Sequence, residues 1–527
     1  PLMAIAAFLV ASTALVKPFV LPRTVPRSSA RLAASPRLSA AASEAVVVGG
    51  GPAGLATALV LSKRGFDVTV LEKRAEPNPY EPQRAYLYLV DGRGQRFTDA
   101  AGITEELASP EASVSSLNYT VTRCLPDGER EEVVPPILEA SDRASYWIPR
   151  ARFLALLNGA LPPTVKTLFG SELHEVQKTA DGGIEVVATC ADGSELRLTP
   201  SLLIGADGLQ SLVRQKCAEW SGAPEDFTPV VLPSPSSGLS YQMIKMPPDL
   251  RLDKTDASIT AEPRKAYSIR PATDAPLGPT RLGMLPVADP LFPRTANVIL
   301  PPEHPVWSLG SGDAVLGWLR ATFPHLPIDE VISADEAAAF AEGAPGAFPA
   351  PCYSPRQQLL LPKAGVVLVG DAIHAFPPDI GQGVNSALSD VMMLSEALDG
   401  AAGSGDDPMA KLREALPAYE AAAAPEAEAV ARIAQIGFPY QYPITREKSP
   451  LQKVGWFANF FLRTFVLSKL LPSLFSPAAI VLVQRPQLSY AQVWRMAKQT
   501  TRRLQGLALV AVLGAAWPWL RRLAVVL

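Results

Sequence analysis

The segment Ala45-Val-Val-Val-Gly49-Gly-Gly51-Pro-Ala-Gly54-Leu-Ala-Thr-Ala-Leu59, followed by Gly65-Phe-Asp-Val-Thr-Val-Leu-Glu72, constrains the fold more than any other part of the chain. An apolar strand runs into Gly49-x-Gly51-x-x-Gly54, then a small-residue helix, then a second strand closed by an acid. That is the complete pattern of a dinucleotide-binding βαβ unit. The glycines let the backbone approach a pyrophosphate, the helix N-terminus faces its charge, and Glu72 suits ribose hydroxyls. An acid at 72 disfavours a 2′-phosphate, so FAD or NAD is expected here rather than NADP. A chance glycine turn would explain the three glycines, but not the strand, helix and acid around them.

Two further strand-to-turn signals follow. One is Leu202-Leu-Ile-Gly-Ala-Asp207-Gly208-Leu-Gln-Ser211-Leu-Val-Arg214; alone it could be an ordinary Asp-Gly turn. The other is Gly365-Val-Val-Leu-Val-Gly370-Asp371-Ala-Ile-His374, continuing through Pro378, Gly381 and Gly383 to Asn385. In series, the three resemble the class A flavoprotein monooxygenases, in which one dinucleotide fold carries GxGxxG, DG and GD motifs. The resemblance implies bound FAD, with Asp371 on the ribityl chain and Pro378 and Gly381 beside the flavin ring. It implies a cofactor-binding set of Gly49, Gly51, Gly54, Glu72, Arg84, Arg150, Asp207, Gly208, Gly370, Asp371 and Gly383, with Pro378, Gly381 and Asn385 at the reacting centre. It also implies that NADPH or NADH reduces the flavin, that O₂ is captured as a C4a-hydroperoxide, and that one oxygen passes to an electron-rich ring or alkene. No second dinucleotide fold is visible, so the nicotinamide is expected to visit transiently. A helix beginning near 381–385 would aim its positive end at the flavin.

Within that family the chain is most similar to the kynurenine 3-monooxygenase group. The segments that carry this are Arg84-Ala-Tyr-Leu-Tyr-Leu-Val-Asp-Gly-Arg93-Gly, Ile148-Pro-Arg150-Ala-Arg152-Phe-Leu and Gln484-Arg485-Pro-Gln-Leu-Ser-Tyr490. Two departures bear on the substrate. The group's Phe-Glu-Asp reads Leu388-Ser389-Asp390 here, and its Arg-Met-Ile-His segment, which carries the substrate-carboxylate arginine, has no counterpart. Arg123 could replace that arginine by position, but reads better as a solvated strand residue. The expectation is weak kynurenine turnover and an aromatic or lipophilic, less polar substrate. Alternatives are a flavin epoxidase or reductase of an isoprenoid and a non-catalytic flavin-binding membrane protein.

The formal net charge is −3 over 527 residues, with no basic run beside aromatics, so no nucleic-acid partner is expected. Four cysteines without CxxC spacing and only four histidines give no metal site. His374 reads as a structural histidine. The first 43 residues carry Lys17, Arg23, Arg27, Arg31 and Arg37 and no acid, which is organelle-transit composition. The apolar Met3–Val16 stretch in front of them could be a signal core. Delivery to a plastid is expected, with the mitochondrion as the alternative.

The expected architecture is α/β: a Rossmann-like FAD domain interleaved with an antiparallel-sheet substrate domain, plus a C-terminal helical membrane-associating region. The boundaries are 1–43 presequence, 44–215 FAD domain with substrate-domain strands inserted, 216–360 substrate domain, 361–400 FAD-domain return and 401–527 helical region. The stretch from the first βαβ to about 145 reads as irregular, with a helix after Arg150. Ser311 or Asp313 reads as a helix cap. Pro408–Gly437 reads as a solvated, Ala/Glu-rich scaffold helix. The apolar Gly506–Leu520 run is flanked by Arg502, Arg503, Arg521 and Arg522; it is short for a span of about 20 residues, and Pro518 shortens it further. Phe457–Val483 reads as a companion interfacial helix.

Overall fold

The computed structural model describes residues 44–77, 86–117, 120–134, 143–289, 293–401, 407–442, 444 and 450–526. Residues 1–43, expected to be a presequence, and Arg84 lie outside the described residues.

The first βαβ forms as strand Glu44–Val48, helix Pro52–Ser62 and strand Asp67–Glu72. Pro52 is tolerated at the start of the helix because the N–H it lacks would have no partner there. This unit sits inside a six-stranded sheet ordered Gln358–Leu360, Gly365–Leu368, Leu202–Gly205, Glu44–Val48, Asp67–Glu72, Lys166–Phe169. All neighbours are parallel except the first pair. The central strands are near-continuous apolar runs, as burial on both faces demands. Val48 stands level with Leu71 and Gly205, and Gly205 with Leu368. The three motifs therefore leave the sheet from the same edge, where the strand order reverses and α/β sheets bind ligands.

A seven-stranded sheet follows the order Gly346–Ala347, Ser240–Met246, Arg294–Leu300, Leu282–Met284, Ala266–Ile269, Val121–Cys124, Arg130–Val133. It is antiparallel except where Ala266–Ile269 runs parallel to Val121–Cys124. One face packs Tyr267, Ile269, Leu282, Met284 and Val298 against Leu319, Phe323 and Phe340. Ser311 caps the Gly312–Thr322 helix beside that core by accepting the Ala314 N–H.

Two local expectations need correction. The stretch before 145 is not irregular: it holds strand Leu87–Val90 and helix Gly92–Ala101. Asp91 caps that helix by accepting from the N–H groups of Arg93 and Gly94, a start signal masked by the two glycines that follow it. The Pro408–Ile436 helix is not a solvated scaffold. It buries Leu412, Leu416, Tyr419, Ala423, Ala427 and Val430, and Tyr419 donates to Leu368 O at 2.8 Å. Its alanines let it lie close to the sheet, and that packing outweighs Pro417 and Pro425 inside it. The last helix runs from Tyr490 to Val526, through Pro518. No helix among the described residues is long and apolar enough to cross a membrane.

Candidate active site

The glycine loop after Val48 is built for close approach. Gly49 has φ +105°, and a Cβ there would meet Ala206 O; a Cβ on Gly54 would strike Gly49 O. Gly51 differs: a Cβ there would meet nothing within 4 Å. Gly49 and Gly54 are thus needed by the protein's own packing, and Gly51 is not. Glu72 is buried, accepting from Gly50 N at 2.7 Å and Arg74 N at 2.8 Å. A small, open cleft beside it is lined by Gly50, Glu72, Arg74, Leu154, Asn158 and Phe169.

The second motif turns at Gly208, φ +81°, with open space around it. Asp207 accepts the Val213 N–H with Oδ2 at 3.1 Å, while its Oδ1 is buried without a partner. Burial pushes the Asp207 carboxyl up from its ordinary value. Arg214 donates to Ala372 O at 2.7 Å, tying this turn to the third motif.

At the third motif, Gly370 lets the turn pack on Ala53 and Ala387. Asp371 is the informative group. Protein surrounds it, yet solvent reaches it, and no described residue bonds to its carboxylate, so it stands on the wall of an opening. Burial raises its pKa, against the pull of His374 and with Asp390 adding to the effect. His374 donates to or accepts from Asp390 Oδ2 at 2.9 Å, and Asp390 also accepts Gly370 N at 3.0 Å. The histidine is thereby part of the turn's scaffold. Pro378, Gly381 and Gly383 are exposed along the same wall, and Gly381 takes φ +64°.

Two expected positions behave differently. Asn385 does not face the opening. It is fully buried, its Oδ1 accepting Asp91 N at 3.0 Å and its Nδ2 donating to Leu89 O at 2.9 Å, so it joins the helix to the Leu87–Val90 strand. Arg150 is buried at its helix start, and its charge acts on Tyr88, on which Asp371 acts too. Tyr88, whose phenol burial pushes well up, was not singled out from the sequence, because only the strand pairing Leu87–Val90 with Tyr146–Pro149 brings it to this wall.

Other residues missed in the sequence hold the site together. Arg93 donates to Val483 O at 2.6 Å, Arg485 O at 2.8 Å and Leu488 O at 2.8 Å, and lies 4.7 Å over the Tyr490 ring. Tyr490 donates to Gln382 Oε1 at 2.7 Å, so the C-terminal segment is clamped to the turn before the Gly383–Gly400 helix. Asp379, between Pro378 and Ile380, is buried and accepts from Ser236, from Tyr442 at 2.9 Å and from Gln441 at 3.1 Å. Burial still lifts its carboxyl to about 6.

The sign of the resulting pH dependence follows. A carboxyl whose folded pKa exceeds its unfolded value leaves the native state holding a proton that the unfolded chain releases. Stability contributed by Asp379 therefore falls as pH rises from about 4 to about 6, by roughly 3 kcal/mol in all. Asp379→Asn should flatten that part of the stability profile in denaturant titrations across this range; an unchanged difference between pH 4.5 and pH 7 would show that other groups set it.

A sequence model of the family described as FAD binding domain matches residues 42–230 and 361–434, the two stretches that carry the three turns. A protein named kynurenine 3-monooxygenase, from Salinispora tropica, is 26% identical over 498 residues, covering 89% of this chain and 95% of its own. FAD-dependent monooxygenase cle3 of Aspergillus versicolor is 25% identical over 405 residues, 74% of this chain and 75% of that one. The chain belongs to the FAD-dependent monooxygenases. Among solved structures, tetracycline destructase Tet(51) shares the fold of this monooxygenase, at TM-score 0.53 and 16% identity over 85% of this chain and 99% of that one. The residues of this monooxygenase fit FAD: among the described residues, an orphaned acceptor on Asp207, a carboxylate without a bonding partner on Asp371 and open space at Gly51 lie along one sheet edge.

Proposed function

We propose that this enzyme uses NADPH or NADH to insert one oxygen atom from O₂ into an aromatic substrate held between the Pro378–Gly383 turn and the seven-stranded sheet. The observation that carries the reading is the convergence of three turns on one edge with two acceptors, Asp207 Oδ1 and Asp371, to which no described residue bonds. FAD, when bound, supplies the redox and oxygen chemistry. Glu72 suits the adenosine ribose, Gly51 the pyrophosphate, and Asp207 and Asp371 the ribityl hydroxyls. The Gly383–Gly400 helix has no side-chain cap at its N-terminus, so its free N–H groups can stabilise negative charge on a ring at Pro378 and Gly381. The name of the Salinispora relative supports an aromatic substrate.

Membrane-surface association belongs to the same reading. Phe457, Phe461, Phe465 and Leu470 are exposed on the helical stretch that ends at Leu470, not at Val483, and Leu471 and Leu474 on the turn after it, with Lys453 and Lys469 among them, which is the make-up of a segment lying in a lipid interface. Organelle delivery, plastid before mitochondrion, rests on the basic, acid-free first 43 residues and is read by where a fluorescent fusion of them accumulates.

The test is the purified protein, expected to be yellow, assayed for NADPH and NADH oxidation with and without aromatic compounds under air and under nitrogen. Substrate-stimulated oxidation with an oxygenated product only under air supports the proposal. Bound FAD with no turnover of any kind overturns it. Co-sedimentation with anionic vesicles, lost in Phe457→Ser/Phe461→Ser, checks the surface contact.

A further inference from the structure

The turn that begins at Pro378 carries a buried acid that cofactor binding leaves without a task. Asp379 accepts from Ser236 through Oδ2, and from Tyr442 at 2.9 Å and Gln441 at 3.1 Å through Oδ1. An asparagine would meet the same neighbours, its carbonyl accepting from Tyr442 and Gln441 and its amide donating to Ser236, with no charge to bury. Burial lifts the Asp379 carboxyl to about 6 against all three donors, so at neutral pH the fold keeps it at a net cost. What the carboxyl offers and asparagine does not is a proton that can be bound and released near neutral pH.

On one side of Asp379 the hydrogen bonds continue outward. Ser236 Oγ lies 3.1 Å from Ser234 Oγ. A serine hydroxyl has a single hydrogen, and that of Ser236 goes to Asp379, so Ser234 is the donor in this contact. The two hydroxyls therefore point inward in series, Ser234 to Ser236 and Ser236 to Asp379. Ser236 is fully buried, whereas Ser234 is half-buried next to exposed Pro233, so the series starts at the protein surface.

On the other side stands Tyr442, buried and 5.8 Å from Phe348, which stacks on Tyr241 of the seven-stranded sheet at 5.1 Å. The phenol thus lies between that sheet and the Pro378 turn, where the substrate is proposed to sit. Burial pushes its pKa well up and Asp379 adds to the rise, with the cation Arg281 opposing them. Tyr442 therefore keeps its proton, and passes one on only by taking another. Gln441 holds the carboxyl in line, its backbone carbonyl accepting from Arg281 at 3.4 Å and its side-chain amide donating to Asp379.

We infer that Ser234, Ser236, Asp379 and Tyr442 form a path that carries a proton from solvent to the substrate side of the Pro378 turn. The need for one rests on the monooxygenase reading above: NAD(P)H, O₂ and substrate become NAD(P)⁺, oxygenated product and water only if a proton is taken up. At each step one O–H bond breaks as the next forms. Tyr442 gives its proton to the site and takes that of Asp379; Ser236 reloads Asp379, Ser234 reloads Ser236, and water reloads Ser234. No electrons move along the path.

The test needs no aromatic compound. The full-length flavin-loaded protein is reduced with stoichiometric dithionite under nitrogen, then mixed with oxygenated buffer from pH 5 to pH 9 in H₂O and in D₂O. O₂ takes two electrons and two protons to leave as H₂O₂, and a reduced ring held as an anion brings only one of those protons. In the wild type, reoxidation should slow as pH rises through about 6, where Asp379 loses its proton. Asp379→Asn should abolish that step, slow reoxidation by at least about tenfold and enlarge the solvent isotope effect. Ser236→Ala should slow it above pH 6, where Asp379 has to be reloaded, while Ser237→Ala, which removes a buried hydroxyl outside the path, should leave it unchanged. Infrared difference spectra should show a carboxyl band titrating near 6 that Asp379→Asn removes. An Asp379→Asn protein that keeps FAD with the wild-type pH profile and isotope effect would overturn the path, as would a Ser236→Ala protein indistinguishable from Ser237→Ala or the absence of that band. If Asp379→Asn fails to fold, the comparison of the two serine variants decides. Absence of FAD from the wild-type protein would strike the monooxygenase reading instead.

Discussion

Gly51→Val gives a folded protein that does not retain FAD, and Gly54→Val gives a protein that does not hold its fold. The two glycines belong to one fingerprint, but their surroundings differ. A side chain at Gly54 is driven into Gly49 O within the turn itself, and the backbone on both sides is buried, so neither partner can give way. The cost exceeds about 3 kcal/mol, the upper range for overpacking a well-filled core. A side chain at Gly51 meets no protein atom within 4 Å, and its φ of −77° is one that valine adopts readily. It fills instead the space where a pyrophosphate must pass the helix N-terminus. FAD affinity should fall at least about a hundredfold, equivalent to roughly 3 kcal/mol. Circular dichroism, thermal melts and the flavin content of the purified variants separate the outcomes. A Gly51→Val protein that stays yellow would mean the fingerprint is only a tight turn.

The difference between those variants shows what a sequence conveys about a site like this one. The three motifs were legible because each is local: a strand, a turn needing glycine, and an acid within one strand–turn or strand–helix–strand unit. Parallel pairing of their strands then brings them to one edge without further information. Asn385 was legible as a position but not as an orientation, because its amide is taken by Leu89 and Asp91, which reach it only through the Leu87–Val90 strand. The burial of the Pro408–Ile436 helix was hidden by alanine, which marks no face by hydrophobicity yet permits close packing on the sheet. The partners of Asp379 were the hardest to see. Ser236 is 143 residues from it and Tyr442 is 63, so the three meet only once the sheets and the Pro408–Ile436 helix have packed.

Asp371→Ala should lose FAD while leaving the protein without it as stable as before. Most buried acids are kept because the fold uses them: Asp390 holds His374 and the Gly370 N–H, and Asp379 accepts from three donors. Asp371 has none of this. No described residue bonds to its carboxylate, and burial and Asp390 both disfavour its charge, with His374 alone among the groups acting on it in the opposite sense. Removing it takes no hydrogen bond with a described residue from the native protein, so the melting temperature of the flavin-free variant should be unchanged. A bound ribityl hydroxyl, by contrast, would lose a charged acceptor, which is equivalent to about 1.5–3 kcal/mol or a roughly tenfold to hundredfold loss of affinity. Asp371→Asn, which keeps a carbonyl acceptor, should fall between the wild type and Asp371→Ala. The check is a pair of measurements on the same preparations, flavin affinity by fluorescence titration and stability of the flavin-free form by thermal melt. A fall in stability that matches the loss of flavin would make Asp371 a structural acid and move the ribityl contact elsewhere on the edge. Lost flavin with undiminished stability is what a carboxylate held ready for a ligand predicts.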